Sequence, residues 1–158
     1  MSKSLKRVQK VLSEAHVETE IRQTGEARSA QMAATELDVD VDQIAKSIIF
    51  RGETSGEAVL FLTAGGNFVD ASKAAELAGE QLGKADAALV RSQTGFAIGG
   101  VSPVGHLNPI RGFMDPRLLD FEIVWAAAGT PHHVFSAKPD DLATLSGAQV
   151  SDFTANSK

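Results

Sequence analysis

The chain contains no cysteine among its 158 residues. Disulfides, thiolate metal sites and a cysteine nucleophile are therefore excluded at the outset. No apolar run approaches the roughly 20 residues that a membrane-spanning helix needs. The opening Met1-Ser2-Lys3-Ser4 leads into a polar amphipathic segment without the apolar stretch of a signal peptide. A cytoplasmic protein with no membrane partner is the expectation. Two hydrolase signatures are also missing: a Gly-x-Ser-x-Gly elbow between strand and helix, and a His-Glu-x-x-His metal site. A formal net charge of −5 argues against a general nucleic-acid coat, which works by neutralising many phosphates. DNA is thus not an expected partner, although a local basic patch could still grip one end of an RNA. Internal repeats and low-complexity linkers are absent.

What remains is an ordinary globular composition, long enough for one hydrophobic core and short of two. Residues 1–158 are read as a single domain. Leu5, Val8, Leu12 and Ala15 recur at helical spacing behind a cap at Ser2 or Ser4, with Lys3, Arg7 and Lys10 on the opposite side. That basic stripe is either a solvated face or a contact for an RNA backbone. Val17–Ile21 alternates like an edge strand. Ser29 caps a short helix with Met32, Ala33 and Leu37 on one side, and Asp40 with Gln43 forms a capping box. Strands are predicted at Lys46–Arg51, Ala58–Leu62, Arg111–Met114, Phe121–Ala128, from His133 and near Gln149–Phe153. Helices follow Asp70, Asp86 and Pro139, with a helical turn at Asp115-Pro116. The pattern is mixed α/β.

Two features stand out. In Thr94–His106, four of thirteen residues are glycine and one is proline, so the segment is a loop whose backbone can approach a ligand closely. N–H groups around Gly99, Gly100 and Val101 could converge as a nest for a carboxylate, phosphate or oxyanion; the plainer alternative is a tight connection between strands. In the strand at 46–51, Lys46 shares a face with Ile48 and Phe50. If that face is buried, its ammonium needs a partner or ligand; otherwise it snorkels to the surface.

Gln43–Arg51, Thr94-Gly95 with Gly99–Gly105, Ala127-Ala128-Gly129 and Pro139–Leu142 with Ala148 together resemble the bacterial YbaK/EbsC family of prolyl-tRNA-synthetase-associated editing domains. The resemblance runs from about Ser29 onward. It implies a curved, barrel-like mixed β-sheet flanked by helices. It also implies a trans-acting deacylase that cleaves the ester of mischarged tRNA, typically proline tRNA carrying cysteine, alanine or another small amino acid. The partners it implies are the acceptor end of that tRNA and prolyl-tRNA synthetase; no cofactor or metal is expected. Carried onto this chain, the family's lysine is Lys46, and Gly100 shares the catalytic assignment. Gly99 and Val101 would add N–H donors, and Ser102 and Pro103 would shape the substrate loop. A histidine after the AAG segment falls on His132 or His133, with His132 favoured, and Thr130 would bind the ribose or ammonium. Two adjacent histidines are a poor metal site. His106 is read as a structural loop residue. Competing readings are a non-catalytic tRNA- or synthetase-binding module and an esterase for small molecules.

Overall fold

The computed structural model describes residues 2–25 and 29–155. Short polar side chains close the first turn of four helices. Ser2 caps α1 (Lys3–Ala15), Ser29 caps α2 (Ala30–Leu37), Asp70 caps α3 (Ala71–Ala78) and Asp86 caps α4 (Ala87–Thr94). Each side-chain oxygen takes a backbone N–H that the helix cannot satisfy itself. The fifth, α5 (Pro139–Ser146), starts on proline instead. The capping box at Asp40 and Gln43 is present and opens a 3-10 turn, Val41–Gln43, that feeds directly into the next strand.

The strands are β1 (Ile21–Gln23), β2 (Ile44–Gly52), β3 (Ala58–Ala64), β4 (Leu82–Lys84), β5 (Arg111–Met114), β6 (Val124–Thr130), β7 (His133–Ala137) and β8 (Gln149–Val150). All belong to one mixed sheet in the order β1-β7-β6-β2-β3-β5-β8, with β4 also paired to β2. The sheet is curved and does not close on itself. Its centre is the β2–β3 hairpin, from Ala45↔Ala64 to Arg51↔Ala58. On the far side β2 meets β6 in parallel, at Ile44↔Trp125 and Ala45↔Ala126 only.

Both faces are covered, but differently. On one face Leu60 and Leu62 of β3 and Ala126 and Ala128 of β6 pack against α1, α4 and α5 in a continuous core. The other face carries two separate clusters. One joins Ile44 and Trp125 to Ala33, Ala34 and Leu37 of α2; the other gathers Val59, Phe61, Phe113 and Phe153 with Ala74 of α3 and the half-buried Ile48 and Phe50. Along β2, then, Ile44 belongs to one cluster, Ile48 and Phe50 to the other, and Lys46 falls in the gap between them.

Several boundaries differ from the sequence expectations. The edge strand lies at Ile21–Gln23 rather than Val17–Ile21. Just before it, Ser136 binds Glu20 N–H through its own hydroxyl, so a side chain replaces a ladder bond. Met32, expected on the buried side of α2, is 49% exposed, and Ala34 takes that place. β6 begins at Val124 because the chain first completes a 3-10 turn at Pro116–Asp120, and the last strand stops at Val150. β4 had no alternating signal in its three residues.

Phe61 is fully buried, with ring centroids 5.3 Å from Phe113, 5.0 Å from Phe153 and 5.7 Å from Phe50. Phe61→Ala should cost about 3–5 kcal/mol of stability, read as a lowered urea midpoint. A cost below about 1 kcal/mol would show that the smaller cluster adds little to the fold.

Candidate functional site

Where β2 and β6 stop pairing, they part. A cleft of about 550 Å³ opens there, with Lys46 and Ser47 of β2 on one wall, Ala127, Thr130 and His133 on the other, and Ile98, Gly99 and Val101 of the glycine loop between them. A larger depression of about 670 Å³, between Glu18, Phe121 and Lys138, contains none of the glycine loop. The former brings a cation, a row of small apolar side chains and the glycine loop to one space, as a ligand site requires.

Lys46 is half-buried and lies outside the continuous core. Its Nζ donates to the Asn67 carbonyl at 2.8 Å and lies 4.9 Å from the centroid of the Phe68 ring, which is itself 71% exposed. Partial burial lowers the Lys46 pKa from its ordinary value, and the carboxylates of Asp115 and Asp42 oppose that shift. Asp115 is the buried anchor of this arrangement. It is 2% exposed and accepts from Ala64 N–H at 3.1 Å, the Asn67 carboxamide at 2.9 Å and Arg117 N–H at 2.9 Å. By gripping the Asn67 side chain it fixes the carbonyl that receives Lys46. Asp42 holds the same turn through Gly66 N–H at 2.8 Å and is held in turn by Arg117 at 3.0 Å. These acidic residues were missed as site residues in the sequence. The available signals were an aspartate before Pro116 and a Gly-Gly-Asn turn directly after a fully buried strand.

The loop departs from the expected nest at one position. Gly100 N–H donates to the Ala97 carbonyl at 3.0 Å, so it is not aimed into the cleft. Gly100 is required sterically instead: a Cβ there would come within 2.8 Å of the Thr130 Cα and carbonyl carbon. Gly99 and Val101 line the cleft, and their N–H groups have no hydrogen-bond partner among the described residues. Ser102 and Pro103 lie behind the loop. The Ser102 hydroxyl accepts from Val104 N–H at 3.1 Å, and Pro103 borders a different depression.

Of the two histidines, His133 lines the cleft, whereas the favoured His132 is exposed and outside it. The turn decides this. His132 N–H donates to Thr130 Oγ1 at 3.1 Å, and Thr130 Oγ1 lies 2.8 Å from His133 Nδ1. The hydroxyl has one proton and two lone pairs, so it serves His132 N–H and the His133 ring at once. Ser47 Oγ, on the opposite wall, is buried with no hydrogen-bond partner among the described residues. No group of three or more potential metal ligands occurs among those residues, and none of their helices is long and apolar enough to cross a membrane.

A parted sheet with a pinned lysine and a glycine loop across the gap defines a class. The chain belongs to the aminoacyl-tRNA editing domain family, whose model matches residues 24–145. Among individual relatives it is 30% identical over 122 residues, 77% of either chain, to the uncharacterized protein YwhH of Bacillus subtilis (strain 168). The crystal structure of a proposed trans-editing enzyme for prolyl tRNA synthetase matches with a TM-score of 0.89 and 42% identity, over 99% of both chains. The hypothetical protein APE2540 matches with a TM-score of 0.86 and 25% identity, over 94% of this chain and 99% of its own.

His106 sits behind the loop, its Nε2–H donating to the Ser102 carbonyl at 2.7 Å. Burial lowers its pKa, the Arg7 cation lowers it further, and the Ser102 carbonyl opposes the shift. The unfolded imidazole takes up its proton near pH 6.5, the folded one only at lower pH. The neutral ring's contribution is therefore complete above about pH 6.5 and is lost as pH falls through the folded value. The urea midpoint should drop on acidification below about pH 6.5, and His106→Gln should flatten that drop. Identical pH profiles for parent and variant would remove His106 as its source.

Proposed function

We propose that this protein hydrolyses, in trans, the ester joining a small amino acid to the 3′ end of a mischarged tRNA. Proline tRNA is the preferred substrate and prolyl-tRNA synthetase the candidate partner. The reading rests on one observation: Lys46 borders the same cleft as Gly99 and Val101, whose N–H groups have no partner among the described residues. Support for the tRNA comes from the family and from the 42% identical relative.

In this reading the ester carbonyl lies between β2 and the loop. Water adds to its carbon, and Gly99 and Val101 N–H with the Lys46 ammonium receive the charge that develops on oxygen. The bond to the ribose oxygen then breaks. Hydroxyl stays with the amino acid and the proton ends on the ribose oxygen, releasing free amino acid and uncharged tRNA. Ser47 Oγ has no hydrogen-bond partner among the described residues that could take its proton, so an acyl-enzyme is not part of the scheme. The Thr130–His133 pair faces the same space and would orient the ribose or the amino group. Alanines at 45, 126 and 127 line the wall, suiting a short side chain. Editing of this kind is needed because a synthetase pocket discriminates only about 1–3 kcal/mol per methylene.

A panel of mischarged tRNAs, followed for ester loss with purified protein, tests the reading directly. Turnover of none of them above the uncatalysed rate would leave a binding module instead. Lys46→Ala should lower kcat/KM by about 10²–10³, the scale of a lost oxyanion donor, with an unchanged unfolding midpoint; equal turnover would remove the lysine from the mechanism. Gly100→Ala should also impair the reaction, because the added methyl must push the loop off Thr130. A fully active Gly100→Ala would show that this contact does not set the loop's position.

A further inference from the structure

We propose that Arg7, on the first helix, is a positioning residue that holds the glycine loop in its working shape by bridging the loop's two ends. The inference rests on the reading of the loop as the source of oxyanion donors.

Gly95 begins the loop as the left-handed cap of α4, and Gly105 ends it, also at positive φ. Between them the chain reaches the cleft at Gly99 and Val101. A single guanidinium joins both ends: Arg7 Nε donates to the Gly105 carbonyl at 2.7 Å and Nη2 to the Gly95 carbonyl at 2.9 Å. Its Cζ lies 4.6 Å from the centroid of the buried Phe96 ring, so the plane of the fork is fixed as well. The packing leaves no slack, since a Cβ on Gly95 would come within 2.5 Å of Arg7 Nη2. Arg7 is thus withdrawn from the basic stripe of α1, whose Lys3, Lys6 and Lys10 are exposed.

The same helix also touches the opposite wall. A Cβ on Gly129 of β6 would come within 2.9 Å of the Ser4 carbonyl and 3.0 Å of Phe96. Leu5, Val8 and Leu12 anchor α1 to the continuous core. One rigid element therefore sets the spacing between the loop and β6. This helix lies outside the segment matched by the family model, which starts at residue 24. Lysine cannot replace the clamp, because an ammonium lacks the planar fork that meets two carbonyls while stacking on a ring.

The test uses the full chain with Arg7→Lys and Arg7→Gln. Hydrogen exchange is read at the amides of residues 96–102, 104 and 105 and, as a reference, across β2 and β3. Both variants should exchange the loop about tenfold faster with the reference strands unchanged, the signature of local rather than global opening. With mischarged tRNA, kcat should fall about tenfold while KM stays within about twofold, as for an interaction made only in the transition state. In a third variant, Arg7→Ala, added methylguanidinium should restore part of the rate. Unchanged loop exchange, acceleration spread over the whole sheet, or full activity in Arg7→Lys would each overturn the clamp. If the parent protein cleaves no mischarged tRNA, the hydrolytic reading fails, while the exchange comparison still decides whether Arg7 orders the loop.

Discussion

The site depends on two parallel strands that pair over two residues and then separate. In β2 and β6 the ladder ends after Ala45 and Ala126, and β4 joins β2 only further along, at Phe50–Gly52. A parting inside a sheet is costly when backbone groups are left unmatched, so it persists only where other contacts hold the strands. Here β6 continues against β7 with a register shift between Ala127 and Thr130, and β2 continues against β3 without interruption. Each strand is supported from its outer side, and the cleft opens between them.

A charge placed in that gap must be managed. Lys46 lies between two apolar clusters, where an unpaired ammonium would lose hydration without compensation. Among the described residues the ammonium meets a carbonyl acceptor, an aromatic face and two nearby carboxylates, and forms no direct ion pair. A direct carboxylate contact would occupy the ammonium, whereas a carbonyl leaves its remaining donors available. Asp115 acts at one remove: its charge favours the protonated lysine, and its hydrogen bonds fix the turn that supplies the acceptor. The loop is organised on the same plan. Gly100 uses its N–H internally and its bare Cα for contact with Thr130, which leaves its neighbours on either side to face the cleft.

Much of the fold was legible because its signals are local. Capping oxygens at Ser2, Ser29, Asp40, Asp70 and Asp86, and the stop at Gly95, satisfy helix ends with side chains a few residues away. The five apolar positions of Ala58–Leu62 read as a strand buried on both faces, and all seven residues of β3 are buried. What was not legible depends on contacts between distant segments. β4 is a strand because β2 offers it an edge. Arg7 looked like part of a charged stripe, because nothing nearby in sequence shows that the carbonyls of Gly95 and Gly105 lie across from it. His133 displaces His132 from the cleft because the Thr130 hydroxyl organises the turn, a three-residue effect that spacing alone does not resolve.

By itself the sequence determined the chemistry available: no thiol, a lysine on a strand, and a glycine-rich run that needs backbone freedom. These follow from residue type and spacing, which act over a turn or two of chain. Only the tertiary structure decided which groups meet. It brought residues 46, 67 and 115 into one hydrogen-bonded chain, set the loop against Thr130 and fastened it through the first helix. Those contacts are made between elements far apart along the chain, where packing of the whole sheet, rather than local preference, selects the partner.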